Sequence, residues 1–252
     1  MSKAPPRRIG VLGGMGPEAT ILFMGRVLAR TPASGDVDHI PMIVDSNTQV
    51  PSRIARLIEG TGEDPAPVLA AMARGLERGG AEALAMPCNT AHAYAPAIRA
   101  ATSLPFFDMV ELSADRATAV SRDSRVGVLA SPAVRRTALF DRAFSSRGLE
   151  TLYPRDEERM LDAIRAIKRS STDREAARTL NAAAAELVSA GVSCLVIGCS
   201  EFSILASSVA ARCTIVDSLD VLVEAVVEFA TRAAPLPLDG AEQPRQAQAG
   251  DR

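Results

Sequence analysis

The sequence predicts an α/β protein: two pseudo-symmetric parallel-sheet domains facing each other across a cleft. Strand and helix patterns alternate along most of the chain. Within that alternation two stretches look like copies of each other. One reads Ala83-Leu84-Ala85-Met86-Pro87-Cys88-Asn89-Thr90 and the other Cys194-Leu195-Val196-Ile197-Gly198-Cys199-Ser200-Glu201. Each is an apolar run, a residue that disfavours strand continuation, a cysteine, and then small or polar residues suited to a helix start. The echo extends outward. Ile9-Gly10-Val11-Leu12-Gly13 matches Val126-Gly127-Val128-Leu129-Ala130, and Phe106-Phe107-Asp108 matches Ile215-Val216-Asp217. Pairing positions 9 with 126, 88 with 199 and 106 with 215 gives offsets of 117, 111 and 109. Order is kept with small drift, which favours an internal duplication.

Taken in order, Met1 to Pro6 reads as disordered. Arg8 to Leu12 is the first strand, and Gly13-Gly14-Met15-Gly16-Pro17 is a tight turn. Pro17 and Glu18 suit a helix start, and Ile21, Leu22, Val27 and Leu28 give that helix its apolar face. Ile40 to Val44 is the second strand. The loop from Asp45 to Arg53 is rich in hydrogen-bonding side chains. A turn-rich break from Gly60 to Pro67 precedes a helix marked by Val68, Leu69, Met72 and Leu76 and closed by Gly79-Gly80. The strand ending at Cys88 leads to a helix over Ala91 to Ala101, then the strand Phe106 to Asp108. The pattern restarts at Val126. Ser131-Pro132 opens a helix ending near Gly148, and Leu149 to Leu152 is a strand. Met160, Leu161, Ile164 and Ile167 stripe a helix that carries Lys168. Thr172-x-x-Glu175 reads as a capping box for the next helix, which Gly191 closes. After the Cys199 strand and Ile215 to Asp217, a helix from about Leu219 to Arg232 ends the fold. The expected domains are 1–108, completed by the helix at about 218–232, and 109–217. Residues 233–252 read as a disordered tail.

Composition limits the function classes. The 252 residues are 47% hydrophobic, 23% charged and 4% aromatic, a soluble globular balance. A net charge of −2 gives no electrostatic reason to expect nucleic acid or an anionic membrane as partner. No apolar run is long enough to span a bilayer, and the basic N-terminus lacks a signal-peptide core, so the cytoplasm is the expected location. The cysteines are Cys88, Cys194, Cys199 and Cys213 and the histidines His39 and His92. This spacing predicts neither a structural zinc site nor a disulfide framework.

What remains is thiol chemistry. Cys194 and Cys213, inside or beside apolar strands, read as small core residues. Cys88 and Cys199 sit at equivalent strand-to-helix junctions, where N–H groups and the helix dipole are expected to favour the thiolate. If a pseudo-twofold relates the halves, the two sulfurs approach one ligand from opposite sides. Such a pair suits stereoinversion at a carbon acid: one thiolate removes a proton and the opposing thiol returns one, with no metal or organic cofactor needed.

These residues carry a resemblance. Ile9 to Thr20, with its Gly-Gly-Met-Gly-Pro turn, Met86-Pro87-Cys88-Asn89-Thr90-Ala91-His92 and Gly198-Cys199-Ser200-Glu201 resemble the aspartate/glutamate racemase family over roughly Arg8 to Arg232. The resemblance implies two Rossmann-like domains with the active site between them, often dimeric, so a homodimer is expected. It implies a cofactor-independent racemase with Cys88 and Cys199 catalytic. It also implies that Arg53, following Asn47-x-Gln49, and Lys168 hold the acidic side chain of a small dicarboxylic amino acid. Asn89, Thr90 and the backbone around Ser200 would hold its α-carboxylate, and Met15, Gln49, Ser131 and Glu201 complete the expected pocket. Ser200 stands where the family commonly has threonine, and Ser131-Pro132-Ala133 replaces a stretch usually richer in threonine.

Read from the residues alone, several of these positions have a second meaning. The glycine turn can pass for a dinucleotide loop but lacks the full G-x-G-x-x-G spacing. Arg53 is equally a solvated loop cation, and Lys168, taken alone, reads first as a complement to a helix C-terminus. His92 either tunes Cys88 or has a structural role in the first turn. Glu201 either orients the second thiol or caps its helix. A maleate isomerase, a hydantoin racemase-like enzyme or a non-catalytic small-ligand-binding α/β protein are the competing functions. Two cations in one pocket disfavour a hydantoin but not maleate.

Overall fold

The computed structural model describes residues 5–232; the expectations for residues 1–4 and for the tail from 233 lie outside them. In chain order the elements are β1 (Ile9–Gly13), α1 (Pro17–Arg30), β2 (Met42–Ser46), α2 (Ala66–Arg78), β3 (Ala83–Ala85), α3 (Ala95–Ala101), β4 (Phe106–Phe107), α4 (Met109–Val120) and β5 (Arg125–Leu129). There follow α5 (Pro132–Arg136), α6 (Leu139–Ser145), β6 (Glu150–Leu152), α7 (Glu157–Arg169), α8 (Arg174–Ser189), β7 (Cys194–Ile197), α9 (Ser200–Ile204), β8 (Thr214–Asp217) and α10 (Ser218–Thr231).

They form two four-stranded parallel sheets of identical strand order, β2-β1-β3-β4 and β6-β5-β7-β8. The duplication reaches the packing. Gly10 pairs with Leu84 across β1 and β3, and Gly127 pairs with Leu195 across β5 and β7. A Cβ built on Gly10 would lie 2.8 Å from Leu84 and 3.1 Å from Leu76. On Gly127 it would lie 2.5 Å from Leu195 and 3.1 Å from Leu187. Each sheet thus takes its glycine where a leucine of the neighbouring strand and one of the covering helix close over the backbone.

Both faces of each sheet are covered, as all-parallel strands require. In the first lobe, α2 and α3 pack Leu69, Leu76 and Ile98 against Leu84, Met86 and Cys88. In the second, α7 and α8 pack Ile164, Leu180 and Leu187 against Leu195, Ile197 and Cys199. The opposite face of the first sheet is covered by α1 and α10, through Phe23, Val27, Leu222 and Val226. The C-terminal helix therefore packs on the N-terminal sheet.

Several local expectations are corrected. On α1, Ile21 and Leu28 are 67% and 56% exposed; the buried face is Ala19, Thr20, Phe23 and Val27. Strand β2 starts two residues after Ile40, with Met42 opposite Ile9. Ala91 to Ala101 is not one helix: Thr90–Tyr94 is 3₁₀, because Pro96 has no N–H for the His92 carbonyl, which accepts from Ala95 instead. The helix expected from Ser131 to Gly148 is broken into α5 and α6 at Ala138, whose φ is +50°. The cap of α8 is Asp173, which accepts from the Ala176 N–H at 2.8 Å, not Thr172. Helix α4, capped by Asp108 through the Val110 and Glu111 N–H groups, had no sequence expectation. Its buried face is mostly small (Ser113, Ala114, Ala117), so its apolar stripe is faint.

Candidate active site

The strands of both sheets are parallel, so loops following their carboxyl ends collect on the cleft side. Five such loops, after β1, β2, β3, β5 and β7, and the end of α7 build the site. After β1, Gly14 adopts φ +85°, and a Cβ there would lie 2.5 Å from the Asn47 backbone. Only glycine lets the first loop press against the loop after β2. The Gly14 N–H donates to Thr20 Oγ1 at 3.0 Å, tying that turn to α1. Met15 on one loop and Arg53 on the other then face the same chamber.

Cys88 follows β3 through a tight turn in which its N–H donates to the Met86 carbonyl at 2.8 Å. His92 is buried beneath it. Its Nε2 accepts from the Met109 N–H at 3.1 Å, so Nδ1 carries the proton and donates to the Cys88 carbonyl at 2.9 Å. The ring stacks on Phe106 at 5.4 Å. His92 is a neutral brace on the Cys88 backbone, which resolves its two sequence readings in favour of structure.

Cys199 is the N-cap residue of α9, with extended backbone. Its Sγ donates to Glu201 Oε2 at 3.2 Å, and Glu201 Oε1 pairs with Lys168 Nζ at 3.1 Å. Lys168 lies in the last turn of α7. Arg53 donates through Nη1 to the carbonyls of Val50 (3.1 Å) and Pro51 (3.0 Å), which fixes the direction of its guanidinium. Thr90 and Ser131 share a hydrogen bond of 3.1 Å that joins the two lobes beside the chamber.

Met15, Arg53, Cys88, Thr90, Ser131, Lys168, Cys199 and Glu201 line one chamber of about 40 Å³, together with Ser52, Ile54 and Ile164. That is room for a few waters, each of which needs about 10–15 Å³ of such volume. Arg53, Lys168, Glu201 and Ser52 also line an adjoining vestibule of about 590 Å³, which Gln49 borders. These four side chains form the throat between the two spaces. Asn89 and Ser200 line neither. The Asn89 amide donates to Ser218 Oγ at 2.9 Å, and Asn89 Oδ1 and Ser200 Oγ are buried without a hydrogen-bond partner. Ile164 belongs to the core stripe of α7 and yet lines the chamber; nothing in its periodicity marks a wall of a site.

Electrostatics correct the expectation that helix starts favour both thiolates. Burial pushes the Cys88 thiol up and Glu201 adds to it; Arg53, and to a lesser degree Lys168, pull it back without cancelling the rise. Burial pushes Cys199 up further because the Glu201 carboxylate adds to it, outweighing the N–H groups of Glu201 and Phe202. Helix α9 is only five residues long, so its dipole is weak against these effects. Burial raises Lys168's difficulty in holding a proton, but Glu201 more than offsets it, and the lysine stays charged. Cys194 lies in the core, pushed up to about 12 by burial. All four cysteines are free thiols. Among the described residues no cluster of side chains could hold a metal ion, and no helix is long and apolar enough to cross a membrane.

Fold and site together define a two-lobed α/β protein in which each half delivers one cysteine to a shared interlobe chamber. The chain belongs to the Asp/Glu/hydantoin racemase family, whose model matches residues 12–226. It is 24% identical over 223 residues to the broad specificity amino-acid racemase RacX of Bacillus subtilis, covering 87% of this chain and 96% of that one. Among solved structures, Picrophilus torridus aspartate racemase superposes with a TM-score of 0.78 at 23% identity, covering 89% of this chain and 94% of that chain. Glutamate racemase isoform RacE1 of Bacillus anthracis gives 0.65 at 17% identity, with 90% and 82% covered. These likenesses show the two-domain fold.

Proposed function

We infer that this racemase-family enzyme inverts the α-carbon of a small dicarboxylic amino acid, aspartate or glutamate, by proton transfer between Cys88 and Cys199. One observation carries the reading: equivalent positions of the two halves place both thiols on the wall of a single chamber. The charges lining that chamber support the substrate class. Among the described residues they are Arg53, Lys168 and Glu201, two positive and one negative. Two cations at the throat favour an amino acid that carries a second carboxylate on its side chain. Arg53 and Lys168 at the throat take the side-chain carboxylate, which places Cα deeper, between the sulfurs.

In each direction one thiolate takes the α-proton and the other cysteine supplies a proton to the opposite face, so the cysteines exchange protonation states in every turnover. At Cys88 the cations also oppose the burial that disfavours ionised sulfur, so recognition and acid–base chemistry draw on the same charges there. The chamber must widen to admit substrate. Breaking the Lys168–Glu201 pair in favour of a substrate carboxylate is one way to do so without moving the backbone. The enzyme is expected to act alone, as a homodimer, without metal or organic cofactor, in the cytoplasm.

Proton NMR in deuterated water with a panel of L- and D-amino acids tests this. Loss of the α-proton from aspartate or glutamate, with appearance of the opposite enantiomer, is expected; alanine should react far more slowly. Equal turnover of alanine and aspartate would rule out the dicarboxylate pocket, and inertness toward every amino acid, with isomerisation of maleate instead, would replace the racemase reading.

A further inference from the structure

The two halves are alike in fold but not in charge at the sulfurs. Cys88 and Cys199 are equally buried, at 5% and 4% exposure, and line the same chamber. Burial therefore does not distinguish them. Their partners do. Cys199 Sγ lies 3.2 Å from a carboxylate oxygen of Glu201, two residues on in the same helix. Cys88, at the equivalent position of the first half, is followed two residues on by Thr90, whose hydroxyl is bonded to Ser131. Lys168 holds the far oxygen of Glu201 at 3.1 Å, so the carboxylate is fixed with its other oxygen on the thiol.

We propose that Glu201 keeps the proton shared by the two thiols on Cys199 in the unliganded enzyme, so that Cys88 is the first of the two sulfurs to ionise. This rests on the two-thiol reading above and deepens it. Glu201 acts through Cys199 and is a positioning residue for the proton. An ionised sulfur at Cys199 would lie against an ionised carboxylate, while a thiol there donates a hydrogen bond to it. Cys88 is disfavoured less: burial raises it and the more distant Glu201 adds to that, but Arg53, and more weakly Lys168, act against both, and no carboxylate is hydrogen-bonded to its sulfur. Those three side chains are the charged groups lining the chamber among the described residues; His92, beneath Cys88, is fixed as a neutral ring by its two backbone bonds.

The consequence is directional. With one of the two thiols ionised, the enzyme at rest is poised for the enantiomer that presents its α-proton to Cys88. That proton goes to Cys88 Sγ, and the Cys199 thiol proton goes to the opposite face of Cα. The enzyme is left as Cys88 thiol and Cys199 thiolate, the form that accepts the other enantiomer. To return to rest without substrate, Cys88 releases one proton to water and Cys199 takes one up.

Ultraviolet absorbance of thiolate, followed against pH, tests this without relying on turnover. In the wild type the lowest-pH thiolate step should vanish in Cys88→Ala, and a later step should vanish in Cys199→Ala. Glu201→Gln should move that later step to lower pH by about one pH unit or more. Glu201→Asp, which keeps the charge, should leave it closer to the wild-type position. If the lowest step belongs to Cys199, the proposal is overturned, and this outcome needs no Glu201 variant. A folded Glu201→Gln enzyme with unchanged steps also overturns it. Because the readout is thiolate, it stands apart from the amino-acid assay: inertness there would remove the racemase reading and leave the order of thiol ionisation to be decided by absorbance.

Discussion

At Arg53 and Lys168 the chemistry of the site reduces to two cations that face a throat from different lobes. Hydrogen bonds to charged groups contribute about 1.5–3 kcal/mol each. Arg53→Ala or Lys168→Ala should therefore lower kcat/KM for the dicarboxylic substrate roughly 10- to 100-fold, with a much smaller effect on residual turnover of alanine; steady-state kinetics on both substrates checks it. The sequence left both cations ambiguous, because a loop arginine and a C-terminal helix lysine have ordinary structural uses. It left His92 equally open, since its second partner, the Met109 N–H, is 17 residues away. Its burial has a pH consequence. Burial lowers the folded-state pKa of His92 below its ordinary value. The unfolded chain then binds this proton more readily than the folded one as pH falls below about 6.5, the ordinary histidine value. The stability that neutral His92 contributes is present above that pH and is lost as pH falls toward the folded value. A folded His92→Gln variant should show a shallower loss of Tm than the wild type between neutral pH and about pH 5.5; parallel Tm–pH curves would refute this.

Helix and strand identities were largely legible, because buried parallel strands read as short apolar runs between helical stripes. Boundaries and caps were less so. Thr172 and Asp173 are both good capping residues one position apart, and only the observed Asp173–Ala176 bond chooses between them. Asp173→Ala should cost about 1 kcal/mol of stability, whereas Thr172→Ala should be nearly silent, read as the shift in denaturation midpoint. Helix α1 shows a different limit. Ile21 and Leu28 fit an amphipathic pattern yet face outward, while Arg26, a polar residue by any scale, turns toward the protein. Its Nη1 meets Asp217 Oδ2 at 2.6 Å, and its Nη2 donates to the Ser203 carbonyl of α9 at 2.7 Å. Asp217 Oδ1 in turn accepts from Ser203 Oγ and from the Leu219 N–H. Binary patterning has no symbol for such a charge, whose partner lies 191 residues away.

Across the whole molecule, that Arg26–Asp217 network ties α1 of the first half to the loop and helix that carry Cys199. Asp217 is nearly buried, and burial raises its pKa even though Arg26 and Ser203 act against it. Arg26→Ala would leave a buried carboxylate without its cation, so stability should fall by about 3 kcal/mol and racemisation should fall more than that loss explains at temperatures where the variant is folded. Retained activity in a folded Arg26→Ala enzyme would show that the tie does not set the relative placement of the two thiols. The duplication itself was legible from three echoes, and the identical strand orders and matching Gly10 and Gly127 contacts bear it out. What the echoes hid was the inequality of the halves: symmetry predicts two equal thiols, and the single Glu201 carboxylate removes that equality. In the proposed mechanism Cys88 and Cys199 serve opposite faces of one α-carbon. The most direct test incubates Cys88→Ala and Cys199→Ala with L- and D-substrate in deuterated water and follows the α-proton. Neither variant should racemise, each should still exchange the proton of one enantiomer slowly, and the two should prefer opposite enantiomers. Full racemase activity in either variant, or the same enantiomer preference in both, would rule out proton transfer between two facing thiols.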